Sequence, residues 1–413
     1  MIKRYQKTAI SQYVIVLITL FGVLGVSLLS MQFMSRVPYE DHFAHPWAAG
    51  RFWLFEGLSP YDQEIVTFAE NILEDSSFLG QLPENSRLTH PMVSLYLYLP
   101  FSLLDYNISR VLWVTLSALF LVLSIYFAFK LSGLRFHTIE NLISGFLFFG
   151  WLPGIFGILT GQLSPMIIFI LLLGIYLILR EQDTAAGFLL ALTFGVFFTS
   201  GLIMLFLLVW SFSVKRWSLI SAYFSGIAAL LVISFLLLPA WFLDWFAVIL
   251  NVFEGGAWLQ TPLFYLAETL PGIADFLIVF LHGIFIIYFL YQLITQLGKT
   301  GRVFTWKTMA ILVLAYILHA QVEIHFLYFV LPAMLMVFRY WFERWGIFGR
   351  ILSWAFIIAL SLGPWLLLYP DIHFTSLPDL PSLEVVFPIL VMLGMIWIRW
   401  WAVKIPRLSF ESR

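Results

Sequence analysis

Apolar runs near twenty residues recur along this 413-residue chain, from about Val14–Met34 to 384–403. A run of about 20 apolar residues crosses the hydrocarbon core of a bilayer as a helix, because only there are all its backbone groups satisfied internally. Only 11% of the residues are charged, against about 25% in soluble domains. The chain is therefore expected to be an all-α polytopic membrane protein. A net charge of −1 offers no basic surface for nucleic acid. The absence of cysteine excludes disulfides and thiol chemistry.

Hydropathy predicts spans near 12–34, 91–104, 108–130, 140–158, 163–180, 184–211, 218–239, 272–297, 306–319, 324–341, 349–369 and 384–403, about twelve in all. Residues 1–413 read as a single integral-membrane domain. Lys3, Arg4 and Lys7 precede the first span, which is too long for a signal-peptide core and is read as retained, with both termini cytoplasmic. Threading twelve spans from there puts Lys215, Arg216, Lys299 and Arg350 inside. It also puts Lys130, Arg135 and Arg180 outside, against the positive-inside rule. The stretch 184–211, broken by Gly195 and Gly201, is a candidate for half-helices.

Three segments are not membrane-like: 35–90, 239–262 and 370–383, all on the outer face in this threading. Between Pro38 and Glu84 the first holds nine carboxylates and one cation, Arg51. It predicts two helices, about 42–56 and 63–79, separated by the turn "GLSPYD", with Gly57 stopping the first. The second carries an apolar stripe of Ile65, Ala69, Ile72 and Leu73.

Four stretches then carry a resemblance. "DHFAHPWAAGRFWLFEGLSPYD" resembles the first outer loop of the polyprenol-phosphate-mannose-dependent glycosyltransferases of family 87, in the GT-C superfamily. "THPMVSLYLYLPF" is similar to that family's aromatic-Pro-Pro-leucine stretch at its second span. "GQLSPM" is similar to its Gly-Gln-x-Asn turn, and "HAQVEIHFLYFVLP" to a late span with a His-aromatic pair before Leu-Pro. The chain departs at His90, where the family has proline, at Ser164, where it has asparagine, and at "FFTSG" near 197–200, where it has Lys-Pro.

The resemblance implies a GT-C-like bundle of about twelve helices. It implies transfer of a hexose, expected to be mannose, from a polyprenyl-phosphate donor to a lipid or glycan acceptor, with inversion, on the outer face of the cell membrane. Membrane lipids are the expected surroundings, and no cofactor or metal is expected.

Such a transfer needs a carboxylate to take the acceptor's proton and donors for the departing phosphate. Asp41 is the expected base; the alternative is an N-cap at the helix that follows. Glu40 is the second carboxylate. His45, His90, Gln162, His319, Glu323 and His325 are candidate contacts to donor or substrate, with His325 expected at the phosphate. Arg51 could grip a phosphate bidentately or pair with Glu56. His319 and Glu323 stand four residues apart, on one face if helical, too few ligands for a metal signature. A transporter or flippase for a lipid-linked or small substrate is the alternative reading. Such proteins show related halves and charges at mid-bilayer, whereas here the acids gather in one outer loop.

Overall fold

The computed structural model describes residue 17 and residues 20–83, 86–254, 261–264, 272–319, 324–368 and 382–403. It is 81% helical. Six of the described helices are long and apolar enough to cross a membrane, or seven if the bent pair at 138–159 counts as one. The expected count of twelve spans is not confirmed among the described residues.

The first described helix, α1 (Leu20–Met34), delivers the chain to β1 (Tyr39–Glu40), which pairs in parallel with β2 (Gly80–Gln81). Between the two strands lie α2 (Ala44–Glu56) and α3 (Glu64–Glu74). Gly57, at φ 70°, closes α2 in the left-handed conformation that glycine adopts without strain. Ile65, Ala69 and Leu73 face inward from α3, and Phe52 meets Phe68 across the two helices at 4.5 Å.

The predicted span 91–104 is not a span. It forms two one-turn helices, α4 (Met92–Leu95) and α5 (Leu99–Ser102). Met92, Val93 and Leu95 are buried, so this apolar stretch serves the protein interior rather than lipid. Pro100 sits in the first turn of α5. Ser102 Oγ donates to the Trp47 carbonyl of α2 at 3.0 Å.

This changes the direction of everything that follows. The helix α6 (Tyr106–Ser132) starts beside Asp41 and runs away from it, for about 40 Å at 1.5 Å per residue. The bent pair α7 (Thr138–Phe149) and α8 (Leu152–Leu159), 55° apart, returns to the Asp41 side. The next helix, α9 (Ser164–Leu179), runs parallel to α6. Trp113 meets the Gly161 carbonyl at its start, Phe120 meets Phe169, and Phe127 meets Tyr176 near its end.

Lys130, Arg135 and Arg180 therefore lie at the end opposite Asp41, where Arg339 also lies against Gly133 and Arg350 pairs with Glu140 at 2.9 Å. The cations that broke the charge rule in the twelve-span threading join the others on one face.

Residues 183–213 double back. The helices α10 (Asp183–Ala191) and α11 (Phe197–Ser213) flank a 3-10 turn at Leu192–Val196. Asp183 meets Arg216 at 3.1 Å, just past the far end. A straight helix of 31 residues would separate those ends by about 46 Å. At the turn Gly195 lies against the backbone of Ser94, where a side chain would not fit. The expected break in 184–211 is thus real.

Beyond α12 (Trp217–Leu237) and α13 (Trp241–Glu254), α14 (Ala274–Gln296) and α15 (Gly301–Ile317) come next. Every residue of α15 from Trp306 to Ile317 is buried, which marks it as the helix at the centre of the bundle. A 3-10 helix (Ile324–Phe329) follows, then α16 (Leu331–Leu368), whose two halves fold back on each other at Gly346, φ 55°. Trp341 meets Phe356 across that reversal at 5.6 Å. The final helix is α17 (Phe387–Val403).

Candidate active site

Strand pairing fixes the site's first wall. The Asp41 amide donates to the Gln81 carbonyl at 2.8 Å, and the His42 amide to the Thr160 carbonyl at 2.8 Å. The outer-loop strand is thereby sewn to the Gly-Gln turn between α8 and α9.

Asp41 has no solvent exposure. Its Oδ1 accepts from the amides of Phe43 and Ala44 at 2.9 and 3.0 Å, fastening the start of α2 as an N-terminal cap does. Its Oδ2 accepts from Tyr39 at 3.0 Å, Tyr106 at 2.6 Å and Arg110 Nε at 2.8 Å. Five donors occupy a carboxylate with about four lone-pair positions. Burial, then the Asp41 charge, push the Tyr39 hydroxyl well above its ordinary range, so it stays a donor.

Arg110 was missed by sequence reasoning. It sits four residues into α6, fully buried, under the apolar run read as a span. Its Nη2 donates to the Leu159 carbonyl at 2.5 Å. The guanidinium lies over the rings of Tyr39 and Phe43 at 5.4 and 5.8 Å. Its Nη1 has no hydrogen-bond partner and points at Gly161. The available signal was an arginine inside an apolar run, because a charge placed there at a cost of about 2.5–3.5 kcal/mol calls for a partner.

Gly161 is required twice over. Its φ is 75°, and a Cβ there would stand 2.8 Å from Phe43 Cβ and 3.0 Å from Arg110 Nη1. Phe43 packs into an aromatic box with Trp113 at 5.1 Å and Tyr98 at 6.0 Å, beneath the carboxylate.

The same turn reaches His325. A Cβ at Gly157 would lie 3.2 Å from His325 Cβ and 3.2 Å from Ser164 Oγ. His325 is buried in the 3-10 helix and its ring meets Phe326 at 4.8 Å. On the other side of Phe326, at 5.3 Å, stands His319, whose Nε2 bonds Thr199 Oγ1 at 2.8 Å. Thr199 belongs to "FFTSG". Asp41, Arg110, the 157–164 turn and His325 thus form one connected group, and His319 continues it. Gln162 lies in this turn, its amide donating to the Gly157 carbonyl at 3.0 Å.

Glu40 and His42 stand at the edge of the group, about a quarter exposed, with His42 Nε2 3.5 Å from Glu40 Oε2. Theirs is the more accessible carboxylate of the adjacent pair. His45 is buried in the first turn of α2, and burial lowers its imidazole to about 4.

Arg51 and the backbone of His90 meet other segments. Arg51 donates to the carbonyls of Ser102 and Leu104 at 3.2 and 3.5 Å and lies near the rings of Trp47 and Phe55. It grips neither Glu56 nor an open cavity. His90 sits where its carbonyl accepts from Tyr61 at 3.1 Å, beside Thr89, whose carbonyl accepts from Trp245 at 2.9 Å. Glu323 lies outside the described residues. Among the described residues no three His, Cys, Asp or Glu side chains gather as metal ligands. A cavity of about 800 Å³ lies away from this group, between α1, α6 and α7, with Lys130 and Arg135 in its lining.

The model of glycosyltransferase family 87 matches residues 88–261. Neither the curated proteins nor the solved structures contain a match. The matched stretch includes His90, Arg110, the Gly-Gln turn and Thr199, and supports the resemblance to that family. It indicates a membrane glycosyltransferase, with a sugar donor, an acceptor and membrane lipids as its partners.

Proposed function

We propose that this protein moves a hexose, mannose being the expected one, from a polyprenyl-phosphate carrier to an acceptor hydroxyl on the acid-rich face of the membrane. The observation that carries this reading is the meeting of three separate segments at one place: the outer-loop segment 39–45, the Gly-Gln turn, and His325. Each belongs to a stretch that resembles family 87. By the positive-inside rule the face of Lys130, Arg180 and Arg350 is cytoplasmic, so Asp41 faces outward.

In the reaction the acceptor oxygen attacks the anomeric carbon as its proton passes to a carboxylate. The bond from that carbon to the phosphate oxygen breaks, the anomeric centre inverts, and polyprenyl phosphate leaves with the electron pair. Asp41 is the proposed base, by the resemblance, and His325 the proposed contact to the leaving phosphate. A second reading has a specific observation behind it. Glu40 is partly exposed while Asp41 is saturated with donors, so Glu40 takes the proton and Asp41 holds Arg110 and the strand in place.

Transfer of radiolabelled mannose from a polyprenyl-phosphate donor by the purified protein tests the function; no transfer by wild type sinks it. Movement of the donor across proteoliposomes without transfer would instead identify a flippase. Glu40→Gln separates the two bases, since its carboxylate ties down no buried partner. Full activity in that variant leaves Asp41 as the base, and a loss of 100-fold or more, on the order expected for a general base, assigns it to Glu40.

A further inference from the structure

At the face opposite the candidate active site, two helices and a turn bring cations together with no acid paired to them among the described residues. Lys307 lies on α15 and is 3% exposed. Its Nζ donates to the Gln292 backbone carbonyl at 3.2 Å and to Thr295 Oγ1 at 2.5 Å. An ammonium has three N–H donors, so the end of α14 accounts for two. The charges that act on Lys307 are both positive, Arg399 of α17 and Lys299 of the α14–α15 turn. Among the described residues Lys307, Lys299 and Arg399 enter no salt bridge.

The side-chain amide of Gln292 is fully buried and closes no hydrogen bond of normal geometry, although the Tyr288 hydroxyl lies near enough to act on it. Arg399 is exposed, donates to the Tyr291 hydroxyl at 3.2 Å and stands 5.7 Å over the Trp306 ring. Lys307 and Arg399 thus bond to neighbouring residues of α14, Gln292 and Tyr291, and like charges on one patch repel unless an anion joins them.

Depth and surroundings point to the kind of anion. Lys307 is six residues inside α15, about 9 Å along its axis from the cation-rich end of the helix. The outward surface of α14 beside it is apolar, with Ile287 and Ile294 about two-thirds exposed, and Trp400 of α17 is equally open. Acyl chains have a surface there, and a cluster of cations between helices on the cation-rich side suits a phosphate headgroup.

We propose that Lys307, Arg399 and Lys299, with the Gln292 amide, bind the phosphate headgroup of an anionic phospholipid. This site is independent of the sugar-transfer reading.

Thermal unfolding of the full-length purified protein in lipid nanodiscs tests it. Phosphatidylglycerol mixed into phosphatidylcholine should raise the midpoint by roughly 3–8 °C through ligand linkage. Native mass spectrometry should retain phosphatidylglycerol on wild type. Lys307→Met and Arg399→Gln should lose both effects, and Lys215→Gln, a cation on the same face, should keep them. Equal shifts in all four proteins would mean general surface attraction and overturn the site. Inorganic phosphate giving the same shift without anionic lipid would overturn the lipid assignment. If Lys307→Met does not fold, the exposed Arg399→Gln decides.

Discussion

Consider the buried pair Asp41–Arg110 and the variant Asp41→Asn. Both side chains are without solvent contact and are joined at 2.8 Å. Asparagine keeps an oxygen for the Phe43 and Ala44 amides but turns an N–H₂ group toward Tyr39, Tyr106 and Arg110, all of which are donors here. The guanidinium then stays buried without its counter-charge, with only the Leu159 carbonyl and two aromatic faces left. Removing one partner of a buried pair costs about 3–5 kcal/mol, whereas replacing both with apolar groups is often close to neutral.

The expected outcome is a thermal midpoint lowered by roughly 6–15 °C in Asp41→Asn, taking about 2–3 °C per kcal/mol for a protein this size. Arg110→Met should be destabilised comparably, because it strands the carboxylate. The double variant should recover much of the loss, with a coupling of about 2 kcal/mol or more. Thermal unfolding in detergent, read by tryptophan fluorescence, measures all four corners of the cycle. An Asp41→Asn midpoint within about 1 °C of wild type, or a double variant whose losses simply add, would refute the pair as the anchor of this face. The same result would remove the ground for the second reading, in which Glu40 is the proton acceptor.

His45 gives a pH dependence. Burial holds its folded imidazole near 4, below the unfolded value of about 6.5. The unfolded chain takes up the proton first, so stability falls as pH drops from 6.5 toward 4, by about 2 kcal/mol at pH 5. Melting at pH 7.5 and 5, in wild type and His45→Gln, should show part of the acid sensitivity vanish in the variant. Gly161→Ala forces a left-handed φ of 75° on alanine and a clash with Phe43, so it should lose at least about 2 kcal/mol and sugar transfer together; an unchanged melt would count against the strand–turn seam. Arg51→Ala removes two bonds to backbone carbonyls and should cost about 1–3 kcal/mol while leaving KM for the donor unaltered, and a tenfold rise in KM would return Arg51 to the phosphate.

What could be read in the chain and what could not divides along physical lines. The loop helices at 44–56 and 64–74 were legible, the first through Gly57 at its end and the second through an apolar stripe with a period near four, because caps and side-chain spacing are local. The break in 184–211 was visible as paired glycines. The stretch 91–104 misled because hydropathy measures dislike of water, and Met92–Leu95 escapes water by burial in protein rather than in lipid. That one error reversed the direction of the next helix and stranded Lys130, Arg135 and Arg180 on the wrong side. Asp41 could be singled out, but its saturation by Tyr39, Tyr106 and Arg110 is a long-range property of packing that no spacing encodes. Arg110 itself was hidden by the greasiness of its neighbours.

The separation of Asp41 from Arg110 by 69 residues also bears on how the protein is made. Synthesis proceeds from the N-terminus, so the carboxylate leaves the ribosome before the guanidinium does. Arg110 emerges with its counter-ion already made. Were the order reversed, the cation would have to linger unpartnered at the edge of the hydrocarbon until a later segment arrived.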